Sequence, residues 1–415
     1  MKLHKNKPFI LNKVFSFSEK KPFRFSLFFI VVFLFSLLLS CHKTVDDLPD
    51  AFILEKHYGG DSLDFAVQLL ETDDGNYLIL GNTASSGPGA NNASLIKITP
   101  NGDEIWQFTY GGDAYDDAAQ IVKLPDGSFF IVGSTLSFGH GGKDIMLIQV
   151  NSNGVQSHVY TFGDIYYDEG RFVSLSGDGH LLVGGYDTDP VSRDKNMSFR
   201  KISYDGQVVW KQSYGYDSTD MAVDMAVMSD GYLVVGRSFI RSQGHEDITL
   251  VKSDFDGNAI WMKTLGGENL DVMEDILAEK DGNFMLCGYS AMAYENENND
   301  LYVIEIDGQG NILNENNFGD TDDWEFEEGY RIIGNSSGGY YVSGRKLSAM
   351  WILALDSRLN MQWEQTYGTV YNTYTMIGFD LKEEADGKIA IVGGEVNSIS
   401  GKMVFLRLDP DKVVD

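Results

Sequence analysis

The chain has 415 residues, 43% of them hydrophobic, and 61 acidic against 32 basic side chains give a net charge of −29 at pH 7. A surface this acidic repels phosphate backbones and anionic headgroups, which argues against nucleic acid as a partner. Two cysteines exclude a disulfide framework, and six Trp, 25 Phe and 21 Tyr supply ample core without one.

Residues 1–40 read as a targeting segment. Lys2, Lys5, Lys7, Lys13, Lys20, Lys21 and Arg24 lead into an apolar run of fifteen residues from Phe25 to Leu39. That length suits a signal-peptide core and is short for a spanning helix. The run ends in Leu38-Leu39-Ser40-Cys41, which resembles a bacterial lipobox. The resemblance implies a cleaved lipoprotein signal peptide and a lipidated (palmitate-bearing) Cys41 at the mature N-terminus; the alternative is an uncleaved anchor. Removing 1–40, with seven basic residues and one acid, leaves a net charge of −35. Residues 41–51 form a short acidic tether. His42 stands where inner-membrane lipoproteins commonly carry Asp, so resemblance to Gram-negative lipoproteins implies the outer membrane, with the periplasmic or cell-surface side open.

From Tyr58 onward the chain repeats seven times. Gly59, Gly111, Gly163, Gly215, Gly266, Gly319 and Gly368 mark the copies, at intervals of 52, 52, 52, 51, 53 and 49 residues. A period of this size built from short strands is the mark of a β-propeller. In the second copy, strand A is predicted over Ala118–Leu124, strand B over Phe129–Gly133, strand C over Asp144–Val150 and strand D over about Val155–Tyr160. Asp126-Gly127 and Gly154 mark the turns. Four such strands make one blade. Small residues opening strand A (Ala66, Ala118, Ala119, Ala222) place it innermost, where blades converge. Trp106, Trp210, Trp261 and Trp363, with His158 and Asn314 in the other copies, recur on strand D and are read as packing between blades. The last copy lacks a fourth strand, whereas "FILEKHYGG" at 52–60 aligns with "EIWQFTYGG" at 104–112. The expected fold is therefore all-β: a seven-bladed propeller over 52–410, closed by an N-terminal strand completing the last blade, with a tail over 411–415. Closure removes the edges an open array would expose.

The D–A connections and B–C loops share one face, and their length makes it the better binding surface. Its recurring acids, among them Asp61, Asp64, Asp113, Asp116, Asp164, Asp168, Asp217, Asp220, Asp271, Asp320 and Asp323, could bind Ca²⁺ or basic groups. The structural alternative, that each caps backbone N–H groups at a turn, is preferred because the pattern recurs in nearly every copy. Copies six and seven carry longer D–A insertions, nineteen residues from Gly319 to Gly338 against sixteen from Gly59 to Gly75. These nominate Trp324, Phe326, Tyr371 and Tyr374 as ligand-binding aromatics, the alternative being that they plug the channel. GxSxG, HExxH and CxxC are absent, and the seven His are scattered. No catalytic residue, metal site or cofactor is therefore assigned, and the chain is not expected to be an enzyme.

The "DGxxxW" pattern, followed by Tyr-Gly within Tyr204–Gly215 and by Leu-Gly-Gly within Asp256–Gly267, resembles bacterial lipoprotein β-propellers with repeats near fifty residues, and loosely those of quinoprotein-like propellers. Such a propeller scaffolds the outer-membrane barrel-assembly machine, which implies a protein partner. The segment "SDFDGNAIW" (Ser253–Trp261) resembles the turn of sialidase-type propellers, although its Trp lies one residue further from the Gly and the substrate-binding Arg motif is missing. The expected function is a non-enzymatic binding or scaffold module for a protein partner in the cell envelope. Cell-surface glycan binding comes second and glycan hydrolysis third.

Overall fold

The computed structural model describes residues 50–413, except 217–218, 241–244, 268–269, 292–298, 320–325, 369–373 and 398. The signal segment, Cys41, Trp324 and Tyr371 lie outside the described residues. Twenty-eight strands form seven four-stranded antiparallel sheets, and the described helical structure is one 3-10 turn, Pro410–Lys412. The chain is a seven-bladed β-propeller. Among the described residues no helix is long and apolar enough to cross a membrane.

The first strand, β1 (Phe52–Tyr58), pairs antiparallel with Gly401–Leu408, the third strand of blade 7, with Phe52 opposite Leu408 and Tyr58 opposite Met403. Blade 1 then runs from its innermost strand outward as β2 (Asp64–Glu71), β3 (Tyr77–Thr83), β4 (Asn92–Ile98) and β5 (Glu104–Tyr110). The other blades repeat this order, each packing on the next and blade 7 on blade 1.

Two recurring side chains bolt neighbouring blades together. A Cβ added at Gly154 or Gly257, in the turn before the last strand of blades 2 and 4, would lie 2.7 and 2.8 Å from the rings of Trp106 and Trp210 in the preceding blade. A side chain at either turn would push the indole out of its seat. In blade 2 the ring pressed on the following blade's turn, at Gly206, belongs to Tyr160, and His158 stacks on Tyr160 at 5.8 Å. The Tyr that precedes the recurring Gly in several copies then donates its hydroxyl to the same turn. Tyr58 reaches Gly102 O at 2.7 Å, Tyr110 reaches Gly154 O at 2.6 Å and Tyr214 reaches Gly257 O at 2.5 Å.

Every innermost strand carries a β-bulge at the same place, between Ala66 and Gln68 in blade 1 and between Gly378 and Asp380 in blade 7, with five equivalents between. The bulge lifts a backbone carbonyl over the neighbouring strand, where only Gly fits: a Cβ at Gly185 would lie 1.8 Å from Glu169 O, and one at Gly133 1.9 Å from Asp117 O. The small residue before the bulge, present in every blade but the fifth, where Met273 stands, has a different cause from the crowded axis expected from the sequence. A Cβ at Gly170 would lie 2.7 Å from Gly133 O of the previous blade, so it is the neighbouring blade that excludes bulk. The axis itself accepts Phe65, Tyr330 and Phe379.

Candidate functional site: the central channel

A bulge re-aims the side chain it carries. The seven bulged residues, Val67, Ala119, Arg171, Val223, Glu274, Tyr330 and Phe379, all line one cavity of about 500 Å³ in the channel, on the side of the D–A connections. One sector, on blades 1, 6 and 7, is aromatic. Phe379 lies between Phe65 (ring centroids 6.1 Å) and Tyr330 (5.3 Å). The sector on blades 2 to 5 is charged. Lys143 Nζ lies 2.8 Å from Asp117 Oδ2 and 3.4 Å from Glu169 Oε2, and Arg171 Nη1 lies 3.3 Å from Glu169 Oε1. Burial alone would raise the Glu169 carboxyl, but Arg171 and Lys143 outweigh it and hold it below the usual range. Burial pushes Asp117 and Glu274 up, against the attraction of Lys143 for the first and of Arg171 and Arg237 for the second.

The residue after each bulge forms the floor. The free edge of an innermost strand leaves N–H groups without a strand partner, and the preceding blade supplies acceptors from its side chains. Ile121 N–H donates to Gln68 Oε1 at 2.7 Å and Val173 N–H to Gln120 Oε1 at 2.7 Å. Ile276 N–H donates to Asp224 Oδ2 at 3.4 Å, Ile332 N–H to Asp275 Oδ2 at 2.8 Å, and Leu69 N–H to Asp380 Oδ2 at 2.9 Å. Two seams differ. Phe172 fills the seam between blades 3 and 4 with an apolar ring against Phe199, 6.1 Å away. At the seam between blades 6 and 7, Arg331 ties Asp275 Oδ1 (Nη1, 2.7 Å) to Asp380 Oδ1 (Nε, 3.2 Å). Burial raises Asp380 to about 6 despite Arg331, and burial together with Asp275 raises Asp224 well above the ordinary range. A second cavity opens on the turn side and shares Gln68, Arg331 and Asp380 with the first, so these side chains separate the two.

Behind the lining stands a belt that only some blades possess. Immediately after the strand-B glycine, blades 3 to 6 carry Tyr186, Arg237, Tyr289 and Arg345, where blades 1, 2 and 7 carry Asn82, Ser134 and Gly394. Arg345 grips Glu328 with two bonds of 2.9 Å, Tyr330 O–H donates to the same carboxylate, and Tyr186 O–H donates to Glu169 at 3.3 Å. Sequence reasoning looked for divergence in loop lengths and missed this belt, although reading down the residue that follows the recurring glycine would have exposed it.

Of the nominated aromatics, Phe326 is 38% exposed and lies under the Arg345 guanidinium, 4.9 Å from the ring centre, next to the belt. Tyr374 lines a separate cleft of about 260 Å³ with Asp61, Glu395 and Lys402, so the structure does not bring these two together. The loop acids Asp64, Asp116, Asp168, Asp220 and Asp271 each accept a backbone N–H four residues back, at 2.7 to 3.0 Å. Among the described residues no group of three or more His, Cys, Asp or Glu is placed to hold a metal ion.

No family model matches the sequence, and no curated protein matches it. Solved structures do. The Pan2 WD40 domain of Neurospora crassa is 13% identical with a TM-score of 0.51, covering 84% of this chain and 97% of its own. The periplasmic gluconolactonase of Pseudomonas aeruginosa is 10% identical with a TM-score of 0.47, covering 84% of this chain and 100% of its own. The propeller domain of a protease from Pyrococcus furiosus is also 10% identical with a TM-score of 0.47, covering 84% of this chain and 94% of its own. At such identities the likeness concerns the propeller fold alone.

Proposed function

We propose that this propeller is a non-enzymatic binding module, anchored at the outer membrane through lipid on Cys41, that holds its ligand in the loop-side mouth of the central channel. One observation carries the reading: in a single concave cavity, three touching aromatic rings share the wall with side chains that both donate and accept hydrogen bonds. An apolar face beside dense polar groups suits a glycan residue, which favours the glycan reading over a broad protein-docking patch. Of the four raised carboxyls in the channel, Asp224 and Asp380 are committed to N–H groups of the next blade, Asp117 is paired with Lys143, and Glu274 feels Arg171 and Arg237, which supports binding over hydrolysis; the reading needs no cofactor. The protein-partner reading keeps one support of its own: Ile105, Val209, Ile260 and Leu313, at one position on four outermost strands, are each about half exposed, at 47 to 55%.

The test is titration calorimetry with neutral oligosaccharides. The double variant Phe65→Ala, Phe379→Ala is expected to bind about thirtyfold more weakly, from roughly 1 kcal/mol per aromatic face. Unchanged affinity would place the ligand elsewhere. Anchoring is read separately: labelled palmitate is expected on the native chain and not on Cys41→Ala, and label persisting in the variant would refute the lipid attachment.

A further inference from the structure

We infer that the channel mouth receives the end of a neutral oligosaccharide chain, and not an anionic sugar or an internal stretch of chain. This rests on the reading of the mouth as a glycan site and adds two restrictions to it.

The first restriction comes from charge: the basic side chains of the lining, Lys143, Arg171 and Arg331, already face acids, and the carboxyl side chains outnumber them six to three. Lys143 is shared between Asp117 (2.8 Å) and Glu169 (3.4 Å), and Arg171 sits 3.3 Å from Glu169. Glu274 in turn feels both Arg171 and Arg237. An anionic ligand would take Lys143 or Arg171 from its carboxylate and leave that carboxylate unmatched in a confined site. A hydroxyl both donates and accepts, so it bridges an existing pair without breaking it. The net charge of −35 outside the signal segment opposes anionic sugars further.

The second restriction comes from the floor. Gln68 and Gln120 are locked on backbone N–H groups of the next blade, and Arg331 is tied on both sides. A chain entering from the loop side therefore meets side chains that would have to give up these partners to let it pass, and an end that stops at the floor leaves them intact. The cavity of about 500 Å³ is the size of a small-ligand site, not of a groove that a polymer could cross.

The experiment uses the full chain extracted in detergent and measures binding by calorimetry. The probes are maltohexaose, laminarihexaose and mannohexaose, a soluble polymer of each linkage, and linear hexagalacturonate. At equal mass, a polymer about a hundred times longer offers a hundredth of the ends, so its apparent affinity is expected to fall about a hundredfold. Hexagalacturonate is expected to bind at least about tenfold more weakly than the best neutral hexamer. A polymer that binds as well by mass, or a galacturonate that binds as tightly, overturns the inference and leaves the glycan reading standing. Failure of every hexasaccharide, neutral and charged, overturns both.

Discussion

Arg331→Leu is expected to destabilise the propeller by about 3 kcal/mol at pH 8, the lower end for breaking a buried ion pair, and by much less at pH 5. The lower end applies because the Arg331 side chain is itself 32% exposed to the channel, so water can enter in its place. The carboxylates it serves are more deeply buried, Asp275 at 4% and Asp380 at 6% exposure. Without the guanidinium they remain close together beside Asp224, with only backbone N–H groups to satisfy them. The sign of the pH effect follows from the native protein. Asp380 is raised by burial from 3.8 to about 6, so it binds its proton more tightly folded than unfolded. A group of that kind stabilises the fold below its unfolded pKa and loses the contribution as pH rises through the folded one. Removing the positive charge raises Asp380 further, which widens the window and moves it upward. Urea unfolding of both chains at pH 5 and pH 8 measures the difference. A deficit equal at the two pH values would show that Arg331 acts by packing and not by charge.

Much of the architecture is legible in the sequence because it is periodic. The Gly that marks each copy recurs once per blade, and the Asp-Gly turns and strand-D tryptophans recur in most, the tryptophans at contacts with the adjacent blade. The channel was not legible, for two physical reasons. A bulge adds one residue and reverses which side chains face the axis: strand A of blade 2, predicted as a β-rich run over Ala118–Leu124, runs over Asp116–Lys123 with its register broken between Ala118 and Gln120. The floor, moreover, is built from partners about one repeat apart, such as Gln68 with Ile121, or at opposite ends of the chain, such as Asp380 with Leu69. Gln68, Gln120, Asp224, Asp275 and Asp380 look unrelated in the sequence, since two are amides and three are acids. They do one job, offering a carbonyl-type oxygen to the next blade. The acids of the D–A connections show the converse, a conspicuous pattern whose described members mostly cap their own turns.

A chain beginning at Gly59, and so lacking β1, is expected to melt about 10 °C or more below the native chain and to self-associate. Phe52 is 3% exposed and meets the Tyr367 ring edge-on at 5.3 Å, joining blade 7 to blade 6. Deleting one such buried ring costs about 3–5 kcal/mol. Leu54 and Tyr58 pack with Tyr77 and Phe405, and Tyr58 O–H bonds Gly102 O at 2.7 Å, so the same strand also fastens blade 7 to blade 1. Its loss therefore weakens two seams at once, and it leaves the Gly401–Leu408 strand as an unpaired edge with apolar neighbours uncovered. Because an exposed edge pairs with other chains, the truncated protein should elute in larger species on size exclusion as well as melting earlier. A peptide of residues 50–58 added in excess should recover part of the lost Tm, since binding only the folded state raises stability by mass action. Unchanged melting and unchanged elution in the truncated chain would mean that the last blade holds with three strands, and β1 would then be a passenger on the seventh sheet.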